Sequence, residues 1–205
     1  PDDASTPRGA LRPLFRATDA GDGAKIRSLL YTDNPREEKM ADSTAQLSSA
    51  IVQLNKAITD AFGADAAKAL FGDMAALSKE RDNQVDQLVE EIHGDTAVVH
   101  LDPLGQGKFQ PMDFKKVGNL WKLRVGKAME NLDPAKVDQQ LEYVADQVKV
   151  MNDITADVTA GKIKTAEEAT QTLQAKMRQA IMQLAEKQRK AATQSTAPTP
   201  EPAKP

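Results

Sequence analysis

The chain has 205 residues and a net charge of −3, enough for one domain of ordinary size or a domain with a large appendage. Hydrophobic residues make up 40% but aromatics only 4%, and cysteine is absent. The core must therefore be aliphatic, which suits packed helices better than a β-sandwich, and disulfides, thiol nucleophiles and thiolate metal sites are excluded. No run of eighteen apolar residues is present to span a bilayer, and neither half carries the basic field that draws in nucleic acid.

The sequence opens Pro1-Asp2-Asp3-Ala4-Ser5-Thr6-Pro7 without an initiator Met. A cleaved leader or a trimmed start would give this, and it sets the expectation of an exported or periplasmic protein rather than a cytoplasmic one. Residues 1–6 are expected to form a flexible N-terminus. Thr6-Pro7 reads as a helix cap and first-turn proline, followed by Leu11, Leu14, Phe15 and Thr18 at helical spacing. Pro13 weakens or delays that helix, and Ala20-Gly21-Asp22-Gly23 breaks it. Asp22 then caps a short second helix carrying Ile26, Leu29 and Leu30.

Asp33-Asn34-Pro35 opens the longest element, 35–62, with Glu37 and Glu38 near the positive end of its dipole. Met40, Thr44, Leu47, Ile51, Leu54, Ile58 and Ala61 form a heptad seam, ended by Gly63. A helix of that length is ~40 Å long and needs a partner along most of it. Ala67, Leu70, Phe71, Met74 and Leu77 predict one further amphipathic helix.

Helical periodicity then gives way. Leu88–Ile92 and Thr96–Leu101 flank Gly94-Asp95, a two-residue hairpin turn, although Val85, Leu88, Val89 and Ile92 also fit a helix, which shortens the first strand. A loop with Pro103, Gly105 and Gly107 leads to a second hairpin turning at Gly118-Asn119. Counting outward pairs Val117 with Leu120, Lys116 with Trp121 and Phe114 with Leu123. Met112, Phe114, Trp121, Leu123 and Val125 then share the core face, and Lys115 meets Lys122 on the wet one.

Asp133-Pro134 caps a helix over 134–159 with Val137, Leu141, Val144, Val148, Met151 and Val158 in heptad-like spacing, stopped by Gly161. Thr165-Ala166-Glu167-Glu168 is a capping box for a last helix to residue 190, with Leu173, Met177, Ala180 and Leu184. Four parts result: a flexible start 1–6, an α+β domain 7–130, a helical hairpin 131–190 docked on it, and a disordered proline-rich tail 191–205.

Leu14-Phe15-Arg16-Ala17-Thr18-Asp19-Ala20-Gly21-Asp22, Gly94-Asp95-Thr96-Ala97-Val98-Val99 and Val117-Gly118-Asn119-Leu120-Trp121-Lys122-Leu123 together resemble the NTF2-like superfamily (the cystatin-like cone, SnoaL-like) over about residues 8–126. The resemblance implies helices packed on a short, curved antiparallel sheet around a pocket, used by some relatives for catalysis and by others for binding alone. The helical hairpin lies outside the usual cone.

Gly21-Asp22-Gly23 lacks the third glycine and the preceding strand of a dinucleotide loop, and Gly105-Gln106-Gly107-Lys108 lacks phosphate-loop spacing. The two histidines, His93 and His100, point to one face but stand ~13 Å apart along the strand, too far to share a metal. A cone-fold isomerase needs a carboxylate base and an oxyanion donor: Asp102 or Asp113 are the acids available, Tyr31 or Trp121 the donors. Asp113 sits across from Arg124, which reads as a surface ion pair, and Trp121 reads as core. No set converges on a catalytic centre, and no metal or cofactor is expected. The candidate ligand-binding residues are Tyr31, His100, Asp113 and Trp121.

The expectation is therefore an exported binding or scaffolding module without catalytic activity. Its alternatives are a small-molecule enzyme using the cone pocket, of isomerase or hydrolase-like type, and a helical protein–protein adaptor. The partner is an unidentified small molecule or protein, with no nucleic acid and no membrane span, and the helical seams offer a route to a homodimer.

Overall fold

The computed structural model describes residues 4–101, 110–130 and 132–195. Asp102, the loop glycines Gly105 and Gly107, and the tail from 196 onward lie outside them. The elements run α1 (Leu11–Ala20), α2 (Gly23–Leu29), β1 (Leu30–Tyr31), α3 (Pro35–Phe62), α4 (Ala64–Phe71), α5 (Met74–Gln84), β2 (Val89–His93), β3 (Thr96–His100), β4 (Met112–Val117), β5 (Leu120–Arg124), α6 (Pro134–Thr159) and α7 (Ala166–Ser195). The class is α+β.

The sheet order is β1-β5-β4-β3-β2. Its two hairpins keep the expected registers, with His93 opposite Thr96, Phe114 opposite Leu123 and Lys116 opposite Trp121. The expectation of a purely antiparallel sheet is corrected at one edge: Leu30-Tyr31 pairs parallel to Leu123-Arg124. Two residues are too few to show a period of two, so Leu30 read as the end of a helix. Its backbone instead extends, and its side chain is buried among α1, α2 and α3.

Alternation along the strands decides which face is dry. Ala97, Val99, Phe114 and Trp121 are almost fully buried against Leu11 and Ala10 of the α1 region and against Val85. Ala4 belongs to the same cluster, and its carbonyl accepts from the Trp121 backbone N–H at 3.0 Å. The start of the chain is thus held from residue 4. On the opposite face Lys115 stands across from Lys122, and Lys115 is drawn aside to the carboxylate of Asp95.

Asn34 caps α3 by accepting from the N–H groups of Arg36 and Glu37, both at 3.1 Å. Glu37 reaches back to accept from Asp33 N at 2.7 Å and Asn34 Nδ2 at 2.8 Å, a reciprocal cap that buries the carboxylate. Gly126 makes the room, because a Cβ there would overlap the Glu37 carboxylate.

The seam of α3 holds in its C-terminal half, where Leu54 and Ile58 pack with Met151, Ile154 and Val158 of α6. In its N-terminal half the buried apolar residues are Ala41 and Ala45, while Thr44 is exposed. Small side chains let α2 come close there: a Cβ on Gly21 would lie 2.8 Å from Val52 Cβ, one on Gly23 2.9 Å from Ser49 Oγ, and Ser49 donates to the Gly21 carbonyl at 2.7 Å. Gly21-Asp22-Gly23 is accordingly a helix-contact motif.

The single helix expected around Ala67–Leu77 is two, broken at Gly72 (φ 78°), with Asp73 accepting from Ala76 N at 3.0 Å to start α5. The helix α6 lies along α3, and α7 packs on α6 and α4. Leu173 and Met177 complete the cluster. Thr165 and Glu168 form the expected cap, Thr165 Oγ1 accepting from Glu168 N at 3.1 Å and Glu168 accepting from Lys164 N at 2.8 Å. Helix α7 continues to Ser195, five residues past the expected end at 190.

Trp121→Ala is expected to cost about 3–5 kcal/mol in urea unfolding, and Lys122→Ala close to nothing. Equal losses would contradict the assignment of the two faces. Gly126→Ala is expected to cost about 1–3 kcal/mol by overpacking, and Glu37→Gln in the same background should recover none of it, since the added methyl meets either side chain.

Candidate functional site

The dry face of the sheet is not fully covered. Phe15 from α1, Arg81 and Gln84 from α5, Val85 and Leu88 from the turn into β2, and Leu101 and Met112 at the strand ends line a half-open cavity of about 270 Å³. Five of these seven side chains are apolar. The guanidinium of Arg81 lies over the Phe15 ring, 5.0 Å from its centroid, a cation–π arrangement. It is paired with Asp19, whose other oxygen accepts from Ser78 Oγ. Arg81 Nε is buried and has no hydrogen-bond partner among the described residues.

The wall made by α5 is held in an unusual way, because none of its residues is buried. Its ion pairs with α1 among the described residues are two: Arg16 approaches Asp82 at 3.9 Å, and Asp19 binds Arg81. The ladder continues beyond α5, where Arg12 meets Asp86 of the following turn at 2.8 Å and Arg8, just before α1, donates its backbone N–H to Glu90 of β2 at 2.9 Å. Arg8, Arg12 and Arg16 stand at steps of four, as do Asp82, Asp86 and Glu90, and they pair in antiparallel order. The Arg12 guanidinium, bonding and facing Asp86, holds that carboxyl below its ordinary value.

The four candidate residues fall elsewhere. Trp121 is core, with Lys116 Nζ 5.8 Å from its ring centroid. His100 Nε2 lies 3.2 Å from Glu91 Oε1 in an exposed diagonal pair on the wet face. Asp113 is on that face too, but the expected Asp113–Arg124 pair is replaced: Arg124 bonds Asp33 at 3.2 Å. The reason is β1, which brings Asp33 beside β5, and that parallel strand was not foreseen. Tyr31 Oη donates to the same Asp33 at 2.7 Å. That bond, reinforced by Arg124, keeps the Asp33 carboxyl low, and the same bond raises the Tyr31 phenol against the opposing charge of Arg124. Tyr31, Asp33, Thr96, Lys115 and Arg124 line a cavity of about 110 Å³. Tyr31 and Arg124 thus come together, while His100 and Asp113 take no part.

Among the described residues no group of three or more His, Asp and Glu side chains is placed to hold a metal ion, and no helix is long and apolar enough to cross a membrane. Phe15, Arg81 and Met112 were not singled out from the sequence as ligand contacts. The signal that could have found their pocket was the pair of opposite-charge runs at steps of four, which bring residues 8–19 against 81–90. No family model, curated protein or solved structure matches the chain.

A helix fixed by exposed ion pairs is weakly held and opens locally before the rest. In 1 M NaCl the α5 amides are therefore expected to exchange hydrogen faster while those of α3 and α6 do not change, and Asp19→Ala, which removes the partner of Arg81 and Ser78, should act the same way at low salt. Asp86 contributes stability that is present above its unfolded value and is lost as pH falls through its depressed folded value. Acid titration should therefore loosen the turn 85–87 that follows α5 below about pH 4, and Asp86→Asn, already lacking the pair, should show less of that pH dependence.

Proposed function

We propose that the chain is an NTF2-like binding module that takes a small molecule between α1, α5 and the sheet without transforming it. The observation that carries this reading is the 270 Å³ cavity, apolar on five of its seven walls, with Arg81 as its charged group. A volume just under the usual range for ligand pockets suits a small molecule. Turnover at neutral pH needs groups of tuned pKa held within reach of one another. Of the residues that sequence reasoning offers for that work, Tyr31, His100 and Asp113 stand on the wet face, with Tyr31 committed to Asp33 and His100 beside Glu91, Trp121 is core, and Asp102 lies outside the described residues.

An adaptor role has one observation in its favour: Ile181 and Met182 on α7 are 50% and 64% exposed. The seams of α3, α6 and α7 are spent on one another, so an adaptor surface would have to be built from residues such as these.

The reading is tested with a fragment screen by NMR on methyl-labelled protein. Hits are expected to shift the methyls of Val85, Leu88, Leu101 and Met112, and to be recovered unchanged after prolonged incubation. Conversion of a hit to product, abolished in Tyr31→Phe or His100→Ala, would replace it with the enzyme. Shifts confined to Ile181 and the Met182 methyl, on adding a protein partner, would favour the adaptor.

A further inference from the structure

Resting on the pocket reading above, we infer that the ligand is an uncharged hydrocarbon body of about two fused rings, and that this body serves as the core that α5 lacks. Elsewhere on the dry face the chain covers its own apolar residues, and Val99, Phe114 and Trp121 are almost fully buried. Phe15, Leu101 and Met112 pack against the same cluster but stay half-buried, and all three line the cavity. A hydrocarbon placed there removes that surface from water. Its size follows from the volume: a dry cavity of about 150 Å³ holds benzene, and about 270 Å³ leaves room for a second ring. Rings suit these walls better than a flexible chain, since they lose less freedom on binding and meet the Phe15 ring and the Met112 thioether favourably.

The absence of charge on the ligand follows from the polar walls, which are Arg81 and Gln84. Arg81 pairs with Asp19, whose second oxygen accepts from Ser78, and its guanidinium lies over Phe15. Its Nε lies beneath the surface, out of a ligand's reach. Its other nitrogens are bonded or reach solvent, the side chain being 34% exposed. Gln84 is exposed and donates to Glu80 at 3.1 Å. Neither wall calls for a polar group on the ligand, and a charged molecule would give up hydration to meet a cation already matched by Asp19. The role in α5 follows from how that helix is held. None of its residues is buried, and Arg16–Asp82, Asp19–Arg81 and Asp19–Ser78 tie it to α1. A body in the cavity touches Arg81 and Gln84 as well as Leu101 and Met112. It gives α5 the apolar contact to the sheet that no buried residue of its own makes.

The test uses naphthalene, benzene and 2-naphthoate on the full chain, with Kd read from the shifts of the Leu101 and Met112 methyls and with amide hydrogen exchange followed in α5. Naphthalene is expected to bind about tenfold tighter than benzene, since its second ring removes more hydrocarbon surface from water, and 2-naphthoate more weakly than naphthalene. At about ten times its Kd, naphthalene should slow exchange of the α5 amides about tenfold, because opening of the helix releases the ligand. Met112→Trp fills the cavity from within. It should abolish naphthalene binding, read at the Leu101 methyls, and slow α5 exchange by itself, with Leu101→Trp serving the same purpose if the first variant does not fold. Naphthalene no tighter than benzene, or 2-naphthoate as tight as naphthalene, would overturn the ligand class and leave the pocket standing. Shifts at Leu101 and Met112 with α5 exchange unchanged, or unchanged exchange in a folded Trp variant, would overturn the core role alone. No shift at either residue with any probe would overturn both the pocket reading and this inference.

Discussion

A helix of 28 residues, about 42 Å long, is the constraint on which the rest of this fold depends. On its own α3 would leave Leu54, Ile58 and the smaller apolar residues between them in water, and each fully buried aliphatic side chain is worth about 1.5–3 kcal/mol. The chain covers α3 from two sides. Helices α1, α2 and strand β1 close over Ala41 and Ala45, while α6, backed by α4 and α7, closes over Leu54 and Ile58. The division follows side-chain size. Alanines and the glycines at 21 and 23 allow a close helix approach at one end, and branched chains interdigitate with Met151, Ile154 and Val158 at the other. The sheet docks on α1, so its position is inherited from α3 through that contact.

Apolar burial does not reach α5. Its eleven residues are exposed or half-buried, and its one large apolar side chain on the outside, Leu77, is 51% exposed. Ion pairs with α1 take the place of a core. Each is screened by water and individually weak, but the two on α5 and the two that follow, on the turn and β2, run in antiparallel order and fix one register. They also leave a space under the helix, since long charged side chains hold two backbones apart where interdigitating aliphatic ones would draw them together. The cavity next to Phe15 and Arg81 is the geometric result of replacing a core with a ladder of charges.

What was legible in the sequence divides along the same line. The long helices 35–62 and 134–159 are set by caps, prolines and apolar period, all local signals, and they form at the residues expected. The hairpin registers follow from Gly94-Asp95 and Gly118-Asn119, where two turn residues fix every pair beyond them. The misread parts depend on residues distant in sequence. A two-residue parallel strand has no local signature, and Arg124 turns to Asp33 only because that strand places it there. The seam of α3 drifted onto Ala41 and Ala45 because α2 approaches from a side the heptad pattern does not mark. Of the candidate residues, Trp121 lies on the core face of the hairpin as expected, Tyr31 joins the sheet through the unforeseen β1, and the pocket draws Met112, Leu101 and Phe15 from expected strands and helix together with Arg81 and Gln84 of α5.

Among the described residues two buried guanidinium nitrogens, Arg81 Nε and Arg124 Nε, have no hydrogen-bond partner, and the size and chemistry of their surroundings separate them. Arg124 borders a cavity of about 110 Å³ whose other walls are Tyr31, Asp33, Thr96 and Lys115. Both nitrogens lie beneath the cavity surfaces, so the walls and not these two donors decide what each space favours. A water molecule needs two to four polar partners, and the walls beside Arg124 supply them. Arg81 borders a cavity more than twice as large with mostly hydrocarbon, ring and thioether walls. Water there finds few partners, whereas an apolar body removes hydrocarbon surface from water. What distinguishes the two cavities is the polarity of the wall.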